Sequence, residues 1–290
     1  MKILLVAEKG FVEDALVTRF KVRGRECLSI DFEGLGVVAD LNSYLNRQGI
    51  AAVINTATAE RLGVEKSCSE RHRGCLVRLL RAVNELRAPY IHLSSNLVFN
   101  SDGGGRNRES DTLVPSRDEG AAYVDIEALV RDRVESHLLL RSGDLFGSSG
   151  ANILTELLRR FEVAADIEFC LQGYNSPVYE GDFARVISAL IDQLCCGVNH
   201  WDVSVWGDYH YVSSDPTTHY HYAETVLAVM SQYTAIDRIN LKAAEGIDAQ
   251  WQRPLLNCEK ILSTFGVKQL PWRSSIVTAV RNYFEDGLNE

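Results

Sequence analysis

The chain of 290 residues is poor in basic residues, with 30 Lys and Arg against 39 Asp and Glu, so its formal net charge is −9. This balance argues against a nucleic-acid-binding protein, because affinity for phosphate comes mostly from Lys and Arg. The chain also lacks an uninterrupted apolar run of about 18 residues, as a membrane-spanning helix would require. The apolar run at residues 3–7 is too short for a signal peptide. We therefore expect a cytoplasmic protein with neither nucleic acid nor membrane as a partner.

The seven cysteines do not form a pattern typical of a disulfide framework or a metal site. Cys195 and Cys196 are adjacent, and no Cys-x-x-Cys pair occurs in the chain. This absence argues against zinc ribbons and thioredoxin-type redox proteins. His210, His219 and His221 are close in sequence. His219 and His221 are two residues apart at a predicted helix start, so their rings point to different sides of the helix. No metal site is therefore predicted.

The chain contains short apolar runs that alternate with amphipathic segments. Residues 2–7, 27–32, 51–55 and 90–93 are typical of strands buried in a parallel sheet, and segments with helical spacing separate them. Strands that alternate with helices form βαβ units. The pattern therefore predicts an α/β fold with a doubly wound parallel sheet.

The second half of the chain differs from the first. After Gly147 the alternation loosens, which predicts a smaller lobe whose elements interleave with the sheet. The polar, glycine-rich residues 101–115 are predicted to form a long loop after a strand end, where loops border the ligand crevice of an open α/β sheet. We expect the part from Gly103 to Pro115 to serve as a protein contact or a lid, because glycine runs are easily reshaped.

Segments along nearly the whole chain resemble one family, in the family's order. That family is the dTDP-4-dehydrorhamnose reductases with their extended short-chain dehydrogenase relatives. The similar segments are residues 1–16, 51–60, 91–100, 138–147, 174–184, 206–226 and 264–276. The resemblance implies a Rossmann-like dinucleotide-binding domain over residues 1–150 and a C-terminal substrate-binding lobe over residues 151–290. It also implies reduction of a nucleotide sugar with NAD(P) as the family activity.

The phosphate loop departs from the family pattern of Gly-x-x-Gly-x-x-Gly. Glycines at these positions let backbone N–H groups approach the cofactor's pyrophosphate at a helix N-terminus. Here the three positions hold Ala7, Gly10 and Glu13. Glu13 either places a carboxylate near two phosphates or is an ordinary solvated helix acid that favours the macrodipole. We therefore expect NAD(P) binding to be weakened.

Three further residues are candidate cofactor contacts by the same resemblance. Asp31 and Asp40 follow the second predicted strand, where the family binds the adenosine half of the cofactor. Two acids suit the ribose of NAD better than the 2′-phosphate of NADP. Ala57 lies in the segment after the third predicted strand.

The catalytic positions show the largest departure. The family uses a Ser or Thr with Tyr and Lys in a Tyr-x-x-x-Lys arrangement, in which the Lys lowers the pKa of the proton-donating Tyr. A gap-free alignment of the family motif to residues 115–127 puts Glu119 at the Tyr position and Tyr123 at the Lys position. If Tyr123 is moved onto the Tyr position instead, its partner is Glu127. Residues 67–241 contain no Lys, so neither register restores the pair.

The resemblance also points to a retained hydroxyl and a substrate site. Ser95 keeps the family's hydroxyl position, so the degenerate catalytic set is Ser95, Glu119 and Tyr123. Arg253 suits bidentate binding of a diphosphate. The candidate substrate-binding residues are Tyr174, Asn175, Ser176, Pro177 and Arg253.

Three functions remain open. The first is a non-catalytic relative that binds a nucleotide or nucleotide sugar, or regulates a protein partner, as a homo-oligomer or with an enzyme. The second is an NAD(P)-dependent reductase or epimerase of nucleotide sugars with an atypical active site. The third is an enzyme of another reaction type with Glu119 as a general base. The missing lysine and the altered phosphate loop favour the first.

Overall fold

The computed structural model describes residues 1–57, 70–101, 105–196 and 205–286. Its strands are β1 (Lys2–Val6), β2 (Glu26–Ile30), β3 (Ile50–Asn55), β4 (Tyr90–Ser95), β5 (Arg106–Asn107), β6 (His137–Ser142), β7 (Leu145–Phe146), β8 (Asp166–Gln172), β9 (Val178–Tyr179), β10 (Gly207–Tyr211), β11 (Asn240–Ile247) and β12 (Leu255–Leu256). Its helices are α1 (Phe11–Val22), α2 (Phe32–Val37), α3 (Leu41–Gln48), α4 (Glu70–Leu86), α5 (Asp118–Arg133), α6 (Ile153–Val163), α7 (Glu180–Cys195), α8 (His219–Met230), α9 (Glu259–Phe265) and α10 (Arg273–Asp286). None of these described helices combines the length and apolarity needed to cross a membrane.

The main sheet has six parallel strands in the order β10-β6-β4-β3-β1-β2. The strand order reverses at β1, because β2 lies on one side of it and β3 on the other. In an open α/β sheet, ligands bind outside the carboxyl ends of the strands at such a switch point. The predicted α/β class and Rossmann-like parallel sheet are confirmed.

The second strand ends earlier than its apolar pattern predicts. β2 stops at Ile30, and the prediction that it extends to Phe32 is wrong because Phe32 begins α2. The cause is Asp31, whose side chain accepts a hydrogen bond from the Gly34 N–H at 2.7 Å and caps the helix. β1 likewise ends at Val6, one residue before the predicted end.

A second hydrophobic core lies in the C-terminal half and includes the buried side chains of Phe161, Tyr222 and Trp272. Elements after residue 150 nevertheless return to the main core, since β10 pairs with β6 and α7 packs on α1. This arrangement agrees with an interleaved lobe. The boundary at residue 150 itself remains a prediction.

The loop that follows β4 is attached to the C-terminal half of the chain. β5 pairs in parallel with β12, and the Asn107 Nδ2 donates to the Leu255 carbonyl oxygen at 3.0 Å. The prediction that residues 101–115 form one long loop is therefore wrong at residues 106–107, which form β5. Residues 102–104, which carry two of the three glycines, lie outside the described residues, and the role of the loop as contact or lid remains a prediction.

Candidate functional site

A cavity of about 350 Å³ opens at the carboxyl ends of the sheet strands. The sheet brings together side chains that are far apart in sequence, because parallel strands end at the same edge. α5 and the segment around the start of α6 form the remaining walls. The residues discussed below that border this first cavity are Phe11, Thr56, Ser95, Glu119, Tyr123, Ser142, Asp144, Asn152, Glu156 and Arg253.

The predicted catalytic positions meet at this cavity. Ser95 ends β4, and its Oγ accepts a hydrogen bond from the Leu97 N–H at 3.2 Å. Glu119 and Tyr123 lie four residues apart on α5, a spacing that places them on one face of the helix. Glu119 is exposed, whereas Tyr123 is buried with 6% of its surface accessible. The cavity rim therefore carries a carboxylate, at the position that the gap-free alignment pairs with the family's tyrosine.

A buried ion pair supports the gap-free register of α5. The Arg141 Nε and Nη2 donate to the two carboxylate oxygens of Glu127, each at 2.8 Å, and both side chains are fully buried. Glu127 ends the aligned residues 115–127, and Arg141 lies in the family-like segment 138–147. Gly120 also fits this register, because a Cβ there would collide with the carbonyl oxygen of Leu97. In this register Glu119 aligns with the family's tyrosine.

Arg253 borders both the first cavity and a second cavity of about 380 Å³. Its Nε donates to Asp144 Oδ1 at 3.1 Å, and its Nη1 donates to the carbonyl oxygens of Gln250 and Gln252 at 2.5 and 3.1 Å. Asp144 is held from the other side by the Asn175 Nδ2, at 2.8 Å from Asp144 Oδ2. These contacts fix the guanidinium between the two cavities.

The predicted substrate residues divide into two groups. Tyr174 lines the second cavity and is 53% exposed. Asn175 is buried, and its side chain contacts the site through the hydrogen bond to Asp144. Ser176 and Pro177 are buried and border neither of these cavities, and their role in substrate binding stays a prediction. The Ser176 carbonyl oxygen packs against Gly143, since a Cβ on Gly143 would lie 2.6 Å from it.

The phosphate loop is shaped by contacts within the protein. The Ala7 N–H donates to the Ile30 carbonyl oxygen at 3.1 Å. Glu13, three residues after the α1 N-cap Gly10, accepts a hydrogen bond from the Ser29 hydroxyl. Glu13 is therefore not the solvated helix acid considered above, since it is half-buried against β2. The side chain links the first turn of α1 to the neighbouring strand.

The other predicted cofactor contacts also have local partners. Asp31 caps α2, as described, and Asp40 caps α3 by accepting from the Ser43 N–H at 3.0 Å. Hydrogen bonds from Ser43 lower the pKa of the Asp40 carboxyl. Ala57 is fully buried, and its N–H donates to Asn55 Oδ1 at 3.1 Å. All three residues thus have roles in helix capping or loop packing.

His210 and His219, which are close in sequence, lie beside different partners in the fold. The His219 Nδ1 lies 2.6 Å from Asp248 Oδ2, and its ring stacks on Trp251. Burial lowers the pKa of His219. His210 is buried beside Arg141 instead, and burial together with that positive charge lowers its pKa to about 3. Within the described residues, no cluster of three or more potential metal ligands occurs.

Several cavity residues were not found from the sequence. They are Thr56, Ser142, Asp144 and Glu156. Thr56 and Ser142 stand at the ends of buried strands, and Asp144 follows two residues later. Their positions after strand ends are a signal that the sequence contains, although nothing in it distinguishes them from ordinary loop residues.

Comparison with known proteins assigns the chain to a family. The family model described as RmlD substrate binding domain matches residues 1–284. The chain belongs to this family. The dTDP-4-dehydrorhamnose reductase of Aggregatibacter actinomycetemcomitans is 22% identical over 98% of this chain and 99% of its own length. That of Escherichia coli K12 is 23% identical, with 98% of each chain covered. The crystal structure of a dTDP-4-dehydrorhamnose reductase from Clostridium acetobutylicum superposes with a TM-score of 0.78 at 18% identity, over 100% of both chains.

The RmlD-family phosphate loop of this chain does not fit a dinucleotide bound in the family manner. Ala7 carries a Cβ at the tight turn and is 2% exposed, so its methyl group is packed into the loop. The carboxylate of Glu13 lies in the first turn of α1, and that of Asp31 lies directly after β2. Phe11 also packs close to Gly147, since a Cβ there would lie 2.8 Å from its ring. Like charge and lost backbone access both oppose a bound pyrophosphate.

We expect NADH and NADPH to bind only weakly or not at all. Restoring the glycines with Ala7→Gly and Glu13→Gly together should tighten binding, because this removes a Cβ and a negative charge beside the phosphates. Titration calorimetry measures both proteins, and Asp14→Gly, which removes a neighbouring acid of the same helix, is the matched control. Micromolar or tighter affinity of the natural chain for either cofactor would contradict this account.

Proposed function

We propose that this chain binds a nucleotide sugar, with the sugar in the first cavity and the nucleoside in the second. The observation that carries the proposal is the position of Arg253, which borders both cavities. The contacts described above use the Nε and Nη1 hydrogens of Arg253, which leaves Nη2 to donate charge-assisted hydrogen bonds to a diphosphate. A diphosphate at Arg253 would join a sugar on one side to a nucleoside on the other.

The second cavity suits a nucleoside. Tyr174 offers an exposed ring on which a base can stack, and Leu171 and Ile247 border the same cavity with apolar surface. Asn107 and Gln252 supply side-chain amides that can donate to or accept from a base edge. These features support the proposal. The relatives support it too, because they are named as enzymes acting on a dTDP-linked sugar.

We further propose that binding is not followed by the family's hydride transfer. A tyrosine needs a neighbouring cation to bring its pKa near neutrality. The position aligned with the family's tyrosine holds Glu119 here. Tyr123 lies one helical turn further along α5 at the lysine position. Ser95 alone can hydrogen-bond a sugar oxygen, but a serine hydroxyl has no matched pKa for proton donation.

A second candidate is an NAD(P)-dependent reductase or epimerase with an atypical active site. The relatives are named as reductases, which favours this candidate over the regulatory subunit considered from the sequence. The meeting of Ser95, Glu119 and Tyr123 at one cavity also favours it, because these side chains offer a hydroxyl, an acid and a phenol to one ligand. It requires a cofactor to bind in spite of the altered phosphate loop.

An absorbance assay with NADPH and dTDP-4-dehydrorhamnose separates the two candidates. We expect no substrate-dependent loss of NADPH, because no tyrosine here has a lysine partner four residues on. A reductase acting on this substrate would instead cause a loss that disappears in Ser95→Ala and persists in Ser116→Ala, which changes an exposed serine outside both cavities. Observation of that pattern would establish the reductase and refute binding without reduction.

A further inference from the structure

The first cavity is unusually acidic for a site that would hold a nucleotide derivative. Among the described residues that border it, the charged side chains are Glu119, Asp144, Glu156 and Arg253. Asp144 and Arg253 neutralise each other through their ion pair at 3.1 Å. The carboxylates of Glu119 and Glu156 are exposed at the rim. The described walls therefore present two uncompensated negative charges to whatever enters the cavity.

Buried hydroxyl groups in the same cavity provide independent evidence for a polar ligand. Thr56 and Ser142 border the cavity and are only 1% and 2% exposed. Neither hydroxyl oxygen has a hydrogen-bond partner among the described residues. A buried polar atom left without a partner is costly, so such atoms in a cavity wall indicate a group that a ligand supplies.

The described walls of the second cavity carry no carboxylate. Among its described lining residues, the charged side chain is Arg253 alone, and the others are polar or apolar. A ligand that spans the two cavities thus meets a positive group near its middle and negative groups at one end. The complementary molecule carries an anionic diphosphate next to a cationic end group.

We propose that the sugar bound in the first cavity carries a free amino group, so that the ligand is an amino-sugar nucleotide. This proposal rests on the proposed function and specifies its substrate class. The ammonium group lies toward Glu119 and Glu156, and the sugar hydroxyls pair with Thr56 and Ser142. A sugar with a hydroxyl in place of the amine makes the same hydrogen bonds but gains nothing from the two carboxylates.

The test compares dTDP-glucosamine with dTDP-glucose, which differ only in whether one sugar carbon bears an amine or a hydroxyl. Titration calorimetry at neutral pH should show dTDP-glucosamine bound roughly 5- to 30-fold more tightly, as expected for two partly solvated charge pairs. The difference should shrink as salt is raised, because exposed charges are screened. In Glu119→Gln with Glu156→Gln, the two ligands should bind alike, while dTDP-glucose should still bind measurably and so report an intact site.

Two results would overturn this inference, and they are distinguishable. Equal affinity of the natural chain for both ligands, or a preference for the amine that survives in the double glutamine variant, refutes the amino-sugar specificity and leaves nucleotide-sugar binding standing. Failure of both ligands to bind refutes the proposed function and the inference together.

Discussion

Replacement of Glu127 with alanine is expected to lower the free energy of unfolding by about 3–5 kcal/mol, because it removes the buried carboxylate that accepts two hydrogen bonds from the fully buried Arg141. Glu127 receives two hydrogen bonds from Arg141, one from Arg131 at 2.7 Å and one from the Ser94 hydroxyl at 2.6 Å. Asp208 remains as a partner of Arg141 at 2.8 Å in the variant. A single carboxylate that is partly exposed does not satisfy two guanidinium groups.

Urea denaturation of Glu127→Ala beside the natural chain measures this effect. The matched control is Glu85→Ala, which removes a glutamate from an exposed ion pair with Arg81 and should change stability by no more than about 0.5 kcal/mol. Similar midpoints for the two variants would show that the buried pair does not hold α5 against the sheet. The register that places Glu119 at the tyrosine position would then lose its structural support.

Replacement of Arg253 with alanine is expected to weaken nucleotide-sugar binding roughly 10- to 150-fold, the range that corresponds to losing charge-assisted hydrogen bonds. The variant removes the cation between the two cavities and also leaves Asp144 without its ion-pair partner. A freed carboxylate then faces the diphosphate. Both changes act in the same direction, so this variant should show the largest loss of binding among single changes at the site.

Two further variants identify the cause of that loss. Arg253→Lys keeps the positive charge but not the planar fork, and we expect an affinity between those of the natural chain and Arg253→Ala. Arg81→Ala removes an exposed arginine that borders neither cavity and should leave affinity unchanged. If Arg253→Ala binds the nucleotide sugar as tightly as Arg81→Ala does, the diphosphate does not lie at Arg253.

The strands and several helices could be predicted closely because their signals are local. One of the segments with helical spacing between the predicted strands, residues 41–48, forms α3, with Asp40 as its N-cap and a left-handed Gly49 at its end. β3 begins one residue before the predicted run of residues 51–55. The error at Phe32 has an equally local cause, since an apolar residue after a strand fits either a longer strand or the first turn of a capped helix.

The site was only partly predictable because much of it depends on long-range contacts. The alignment to family motifs was enough to indicate Ser95, Glu119 and Tyr123, and the structure places all three at one cavity. The alignment did not reveal that Asn175 holds Asp144 across 31 residues of sequence, or that Asp144 in turn holds Arg253. Such contacts depend on how the lobe folds back on the sheet, and a linear pattern contains no record of them.

Titration calorimetry of the natural chain with dTDP-rhamnose, in the absence and in the presence of NADPH, tests the central claim most directly. The two-cavity site predicts saturable binding of one molecule per chain, with an affinity that NADPH does not change. The altered phosphate loop leaves the cofactor no favourable site through which it could act on the sugar. No heat of binding from dTDP-rhamnose, or binding that tightens markedly when NADPH is present, would contradict the account.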